Sequence, residues 1–281
     1  MSRSKGVAEH YDAVPVPSKG RRAVGPAADL KRVHNDFKRS IISEYATKVG
    51  FLVDIGCGRG GDLAKWISSG VKHVLGIDVS DAQIEEAEKR RATVGPAGSG
   101  YVFEVTDADL GALDDIPDAC VDIVTCMFAL NYFFGTREDA ASLLTNVSRI
   151  IRPGGKFVGV FADGRDVAAL LRSAPDGGGA YSLYGDDVDA IGRPGFGAGY
   201  ELRIADTVLD DDGRAPVEFA VHYEELARLA RDCGLDPFGS GARKRPALDR
   251  IKDENFRRVS RLYSAFAFVK SLREDDTVCD F

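Results

Sequence analysis

The stretch LVDIGCGRGGDLAKW, residues 52–66, decides the fold. An apolar run ends at Asp54, and four glycines follow within the six positions from Gly56 to Gly61. Glycine at such a turn allows positive φ and lets the backbone approach a ligand closely. A glycine-rich turn between a strand and a helix is typical of nucleotide-binding α/β folds, although glycine also serves any tight turn of this kind. The stretch therefore predicts a nucleotide-like ligand without naming it.

Beyond this turn, the sequence alternates apolar runs with amphipathic segments. The apolar runs predict strands at 51–55, 73–78, 101–105, 121–128, 156–162, 217–223 and 262–270. The amphipathic segments predict helices at 30–46, 62–70, 81–94, 137–151 and 223–235. Such alternation indicates a single Rossmann-like α/β domain, with a mainly parallel, doubly wound sheet and helices on both faces. The last strands are expected to complete this sheet as an antiparallel C-terminal edge.

Two segments lie outside this alternation. Residues 1–27 carry Gly, Pro, Ser and basic residues without periodicity, and are expected to form a mobile basic N-terminal arm. The domain itself is expected to cover 28–281. Within it, the Gly- and Asp-rich stretch 163–216 is predicted to be an irregular insertion over the face that carries the site.

The charge is distributed unevenly along an acidic chain of net charge −7. Residues 1–40 hold nine Lys and Arg against four acids, and residues 242–261 hold eight against three. A solvated surface is the usual explanation for one such run. Two of them in an acidic protein are equally consistent with a phosphate-bearing partner.

The composition predicts an intracellular protein without a membrane segment. The five cysteines form no C-x-x-C pair, which favours reduced thiols over disulfides or a zinc site. The sequence holds no apolar run of about 18 residues, and its first residues lack the apolar core of a secretory signal.

Acidic residues at the strand ends indicate which nucleotide-like ligand the turn binds. Asp78 ends the second strand, where a carboxylate can accept both ribose hydroxyl hydrogens, so Gly56 and Asp78 fit NAD and S-adenosylmethionine equally. Asp54 would repel a pyrophosphate but favour a sulfonium or amino group. Asp107, after the third strand, could contact the adenine amino group. We therefore expect S-adenosylmethionine.

Several motifs together resemble the mRNA cap guanine-N7 methyltransferases, which are class I S-adenosylmethionine-dependent enzymes. They are VAEHYDA at 7–13, HNDFK at 34–38, DIGCGRGGDLAKW at 54–66, GIDVS through KRR at 76–91, FALNYFF at 128–134, IIRPGGKFVGVFADG at 150–164 and VEFAV at 217–221. The resemblance covers about residues 7–270. It implies methyl transfer to N7 of the terminal guanine of a GpppN-capped mRNA.

The resemblance also implies two sets of binding residues. For S-adenosylmethionine they are Lys38, Gly56, Asp78, Asp107, Met127 and Tyr132. For the cap they are His34, Asn35, Arg59, Lys65, Arg90, Asn131, Glu218 and Tyr263. The chemistry of these side chains agrees, because the three cations suit a triphosphate and Glu218 can accept the N1–H and amino hydrogens of guanine.

Three positions depart from the family's pattern. Asn131 stands where the family usually has His, Met127 where it has Gln, and His34 where it has Asn. Asn131 keeps a donor that could reach guanine O6, whereas Met127 can serve the cofactor only through its backbone.

The implied chemistry needs neither a catalytic acid or base nor a metal, because N7 of guanine carries a lone pair and no proton. The task of the protein is then to align the two substrates. Two alternatives remain: an S-adenosylmethionine-dependent methyltransferase of another RNA or of a small molecule, and a non-catalytic RNA-binding subunit. The first leaves the basic N-terminal arm and Arg59, Lys65 and Arg90 unexplained. The second predicts loss of the loop glycines or Asp78, which are present.

The resemblance implies the capped 5′ end of mRNA as partner. Separate RNA triphosphatase and guanylyltransferase proteins, or a stimulatory subunit, would act beside the chain. The nucleus and a cytoplasmic viral factory are both expected locations.

Overall fold

The computed structural model describes residues 3–13, 25–106, 113–209, 215–239 and 244–271, with side chains from residue 6 onward. Its strands are β1 (Phe51–Ile55), β2 (His73–Asp78), β3 (Tyr101–Val105), β4 (Val121–Met127), β5 (Ile151–Ala162), β6 (Tyr181–Tyr184), β7 (Gly199–Ile204), β8 (Val217–Phe219), β9 (Leu235–Pro237) and β10 (Tyr263–Lys270). Its α-helices are α1 (Arg3–Ala13), α2 (Ala28–Tyr45), α3 (Leu63–Ser68), α4 (Asp81–Thr93), α5 (Arg137–Ile150), α6 (Gly164–Ser173), α7 (Val188–Ile191), α8 (Tyr223–Asp232) and α9 (Glu254–Ser260).

Seven strands form the main sheet in the order β3-β2-β1-β4-β5-β10-β9. The pairs from β3 to β5 are parallel, and β10 is antiparallel to both β5 and β9. The predicted mainly parallel sheet with an antiparallel C-terminal edge is confirmed. Strand order reverses between β1 and β4, which opens a crevice at the carboxyl ends of these strands, where α/β sheets bind ligands.

Helices cover both faces of this sheet, as predicted. Helix α2 buries Leu30, Val33 and Phe37 at three- and four-residue steps, within one of two apolar clusters that the described residues form. Helices α5 and α8 contribute Leu144 and Leu226 to the other cluster. Among the described residues, no helix is long and apolar enough to cross a bilayer.

The stretch 163–216 differs from the irregular insertion that the sequence predicts. Its described part holds α6, α7, β6 and β7, and β8 joins the last two in a separate three-stranded antiparallel sheet. The strand expected at 217–223 therefore covers only Val217–Phe219 and lies outside the main sheet. Along β7 the side chains alternate between the core and the surface. Glycines around these short strands suggested loops, while the period-two pattern carried the stronger signal.

The expected mobile arm is wrong for residues 3–13, which form α1. Helix α1 contacts α4, and His10 is buried. These tertiary contacts stabilise a segment whose own sequence shows no helical periodicity. Residues 14–24 of the predicted arm lie outside the described residues.

Candidate active site

The glycine turn after β1 requires glycine at its first position. Gly56 has φ +69°, and a Cβ added there would lie 2.4 Å from the Cβ of Ala129. The amide of Gly56 donates to the carbonyl of Ile77 at 2.9 Å, which ties the turn to the end of β2. The turn therefore lies in the crevice, with backbone rather than side chains facing the carboxyl ends of β1 and β2.

Asp78 is held at the rim of this turn by backbone amides. Its Oδ2 accepts from the amide of Gly58 at 2.8 Å, and its Oδ1 accepts from the amide of Ser80 at 3.1 Å. Burial raises the pKa of Asp78, while these amides act against that rise. Each carboxylate oxygen keeps a second lone pair, so Asp78 can still accept two hydroxyl hydrogens of a ligand.

A buried group of two acids and two lysines lies around the turn. Asp62 pairs with Lys38 at 2.8 Å and with Lys65 at 2.7 Å. Burial alone would raise the pKa of Asp62, but the two lysines together lower it. Asp54, which accepts from the Thr125 hydroxyl at 2.5 Å, has its pKa raised to about 8 by burial and by Asp62. A cation bound near Asp54 would favour its ionised form.

A second cluster, built around Glu218, closes over the crevice from the small sheet. Glu218 is 6% exposed, and its Oε2 accepts from the Tyr200 hydroxyl at 2.7 Å. Burial raises the pKa of Glu218 to about 7, against hydrogen bonds from Tyr200 and Tyr132 that lower it. The hydroxyls of Tyr132 and Tyr11 share a hydrogen bond of 2.8 Å. The cluster thus consists of one buried carboxylate, that of Glu218, surrounded by tyrosine hydroxyl groups.

Aromatic rings form a wall beside this cluster. The His34 ring stacks on Phe128 with centroids 5.2 Å apart and meets the edge of Tyr263 at 5.1 Å. Burial, and then the charge of Lys38, lower the pKa of His34 to about 3, so its ring is neutral at physiological pH. His34 Nε2 and the Ser260 hydroxyl share a hydrogen bond of 2.9 Å, which fixes the ring.

Asn131 uses its amide within the protein. Its Nδ2 lies within hydrogen-bonding distance of the carbonyls of Ala162 and Phe219 and of the Tyr200 hydroxyl, and its Oδ1 accepts from the amide of Ala162 at 2.9 Å. These bonds tie the end of β5 to β8 and so position Glu218. The predicted contact of Asn131 with guanine O6 stays a prediction, because it would require some of these bonds to break.

The three predicted cap cations are more buried than the sequence suggests. Lys65 is 4% exposed and donates to Asn35 Oδ1 at 3.0 Å, besides its ion pair. Arg59 is 7% exposed, and its Nε donates to Gln83 at 3.0 Å. Arg90 is half-buried on α4. The structure brings Lys65 and Asn35 together, but it places Lys65 and Arg59 in internal contacts rather than on an open surface.

Two further predicted cofactor positions have different outcomes. Met127 ends β4 in the crevice and is 7% exposed. Asp107 lies outside the described residues.

Comparison with known proteins decides the family. The family model for the mRNA (guanine-N(7))-methyltransferase domain matches residues 1–262. The chain belongs to this family. The resemblance that the motifs predict is confirmed.

Named relatives agree with this assignment of the methyltransferase domain. The mRNA cap guanine-N(7) methyltransferase of Cryptococcus neoformans is 30% identical over 243 residues, which are 82% of this chain and 38% of that protein. The protein of the same name from Saccharomyces cerevisiae is 33% identical over 251 residues, which are 82% of this chain and 56% of that protein. The chain spans less than two thirds of the length of either relative.

The fold of the methyltransferase domain recurs in solved structures. Geranyl diphosphate C-methyltransferase from Streptomyces coelicolor A3(2) superposes with a TM-score of 0.61 at 14% identity, over 96% of this chain and 98% of that one. Similarity at this level of identity supports the Rossmann-like fold alone.

Sequence reasoning missed three residues of the methyltransferase domain that shape the site. Asp62 holds Lys38 and Lys65 together, Tyr200 bonds Glu218, and Tyr11 reaches Tyr132 from α1. Tyr11 lies in the motif VAEHYDA, whose resemblance to the family could have indicated that this residue belongs to the site. The period-two alternation of apolar and polar residues along β7 could have indicated that Tyr200 is buried.

Proposed function

We propose that this protein transfers the methyl group of S-adenosylmethionine to N7 of the terminal guanine of a GpppN-capped mRNA. Its family membership supports the reaction. The observation that carries the proposal is Glu218, a buried carboxylate held among phenols beside a wall of neutral rings. A guanine base offers two adjacent donors, N1–H and the 2-amino group, that match a single carboxylate, together with an aromatic face.

The residues of the crevice fit S-adenosylmethionine. Asp78 would accept the ribose hydroxyl hydrogens, and the Gly56 turn would bring backbone rather than a side chain to the nucleoside. Asp54 would favour the positively charged end of the cofactor. The cofactor, when bound, supplies an activated methyl group on a sulfonium. The remaining predicted cofactor residues, Lys38, Met127, Tyr132 and Asp107, belong to this proposal on the family's pattern.

Alignment is the main contribution of the chain to the reaction. Glu218 would orient guanine through N1–H and the 2-amino group, and the rings of His34 and Tyr263 would pack against the base. The lone pair of N7 then forms the new bond to the methyl carbon while the electron pair of the broken bond stays on sulfur. No proton moves, so the proposal assigns no general acid or base.

The cap-binding set extends this pocket toward the triphosphate. Asn35 and Lys65 touch each other at 3.0 Å, and Arg59 and Arg90 lie on the neighbouring turn and helix. We assign Asn35, Lys65, Arg59, Arg90 and Asn131 to cap binding. In the structure, these residues also make contacts within the protein. Binding of the triphosphate would then compete with the ion pair between Lys65 and Asp62.

The proposed partners are the capped 5′ end of mRNA and separate proteins that supply RNA triphosphatase, guanylyltransferase or stimulatory functions. The proposed location is the nucleus, where transcripts begin. The relatives reported above come from cellular organisms and lend no support to a cytoplasmic viral factory.

The test compares substrates directly. Protein and methyl-labelled S-adenosylmethionine are incubated with GpppG, with uncapped triphosphate RNA and with a panel of small metabolites. The proposal expects transfer to GpppG alone. Transfer to a metabolite instead favours a small-molecule methyltransferase. Failure to bind the cofactor by calorimetry at near-millimolar concentration favours the non-catalytic subunit.

A further inference from the structure

The described Lys and Arg residues of the basic stretch 242–261 have no role in the site described above, and those at its start are neutralised locally. Lys244 pairs with Glu44, Arg245 pairs with Asp166 at 2.6 Å, and Arg250 pairs with Asp36 at 2.8 Å. Each of these cations therefore has a carboxylate partner on another segment, and this part of the stretch has little residual charge.

Helix α9 is different, because its cations outnumber the carboxylate they share. Within the described residues, Glu254 lies 2.7 Å from Arg257, 3.8 Å from Arg258 and 3.4 Å from Arg261. Neighbouring Asp253 uses one carboxylate oxygen to cap the helix, accepting from two backbone amides. Asp253 and Glu254 carry two negative charges against the three guanidinium groups and the adjacent Lys252, so this surface keeps a net positive charge.

Two of these arginines expose their guanidinium groups, although Arg258 also contacts Asn255 and Tyr181. Arg257 donates to the carbonyls of Ile251 and Lys252, which fixes it as part of the fold. Arg258 and Arg261 are 41% and 53% exposed. The exposed Lys252 lies just before the helix. We call Lys252, Arg258 and Arg261 the α9 cationic face.

This face begins at the rim of the proposed guanine pocket. Ser260, next to Arg261, shares a hydrogen bond of 2.9 Å with His34. Tyr263 follows Arg261 by two residues, and two residues span at most about 7 Å. The backbone that carries Arg261, at the end of the α9 cationic face, thus adjoins the wall formed by His34 and Tyr263.

We propose that the α9 cationic face binds the phosphodiester backbone of the transcript downstream of the cap. Guanidinium groups pair well with phosphate oxygens, and such contacts position a nucleic acid without reading its sequence. The inference rests on the proposed function, because the capped end must occupy the adjoining pocket. An acidic protein is the other class of partner that the α9 cationic face could bind. The position of this face beside the pocket favours RNA.

The experiment measures KM for two substrates at several salt concentrations. GpppG reaches only the pocket, whereas a capped RNA of about 20 nucleotides exceeds even the roughly 4–16 nucleotides that one OB-fold domain covers. The test variant is Lys252→Gln/Arg258→Gln/Arg261→Gln. The matched control is Arg165→Gln/Arg172→Gln/Arg228→Gln, which removes three arginines of similar exposure that pair with Glu224, Asp189 and Glu225 elsewhere on the surface.

Three phosphate contacts should contribute a slope of roughly 2 to the dependence of log KM on log salt, at about 0.7 per contact for a single strand. The triple variant is expected to lose this slope and to raise KM for the long RNA at low salt by about tenfold or more. KM for GpppG should stay unchanged in both variants, and the control should match the wild type.

The outcomes separate the two proposals. Wild-type protein that methylates GpppG and the long RNA with equal KM and equal salt dependence overturns the RNA contact alone. A triple variant that keeps the wild-type KM for the long RNA does the same, and leaves an acidic protein as the partner of this face. Wild-type protein that methylates neither substrate refutes the proposed function and this inference with it.

Discussion

Replacing Glu218 by Gln is expected to weaken methyl transfer and to stabilise the fold at the same time. The side chain keeps its shape and can still accept from Tyr200, but it loses its charge and one of its two acceptor oxygens. Hydrogen bonds to a charged group contribute about 1.5–3 kcal/mol each. Losing one of them at guanine should lower kcat/KM for GpppG by roughly 10- to 150-fold.

The pH dependence gives the same prediction a second readout. Burial raises the pKa of Glu218 to about 7, and only the ionised form can accept both guanine donors. In the wild type, kcat/KM should therefore rise with pH and level off above about pH 7, and Glu218→Gln should remove this step. The effect of pH on stability has the opposite sign. The pKa of Glu218 is higher in the folded protein than in the unfolded chain, so its contribution to the free energy of unfolding is fully present below the unfolded pKa and is lost as the pH rises through about 7.

Thermal unfolding measures that opposite effect. Above pH 7, Glu218→Gln should be more stable than the wild type by up to about 3 kcal/mol, since the ionised carboxylate is no longer buried. The control is Glu201→Gln on β7, whose half-exposed side chain should affect neither activity nor stability. An active Glu218→Gln protein with an unchanged pH profile would refute the assigned guanine pocket. A loss of activity with a loss of stability would show only that the fold was damaged.

Three further substitutions test the crevice. Gly56→Ala should abolish cofactor binding by calorimetry, because the new Cβ would meet Ala129 at 2.4 Å, whereas Gly61→Ala, with open space, should bind normally. Asp78→Asn should weaken cofactor binding by roughly 10- to 100-fold through loss of a charged acceptor, and unchanged binding would remove it from the ribose site. Asn131→Ala should lower the free energy of unfolding by about 2–4 kcal/mol in denaturant titrations, because it leaves buried backbone groups unpaired. A stable Asn131→Ala protein that loses only guanine selectivity would instead assign Asn131 to the cap.

The sequence predicts the parts of the fold that local patterns encode. The apolar runs predict the bounds of β1 to β4 to within one residue, whereas β5 begins at Ile151, five residues before its predicted start. Ser80 caps α4 within the local sequence, accepting from the amide of Gln83. The glycine turn is predictable as well, because positive φ at Gly56 leaves few other residues possible. In each case the deciding interactions lie within a few residues of one another.

The parts that the sequence does not predict depend on distant contacts. Helix α1 docks through Tyr11 on Tyr132 and through Asp12, which accepts from the Ser80 hydroxyl at 2.5 Å. The burial of Lys65 depends on Asp62 and Asn35, which belong to two different elements. Residue types alone suggest an exposed phosphate ligand there, whereas the pairing is decided by how α2 packs on the glycine turn.

The central claim concerns a single atom of the substrate. GpppG-capped RNA is incubated with the protein and methyl-labelled S-adenosylmethionine, digested to nucleosides, and separated by chromatography. The account predicts that the label appears as 7-methylguanosine from the cap. Label on any other nucleoside, or no label on RNA under conditions where the cofactor binds, would contradict it.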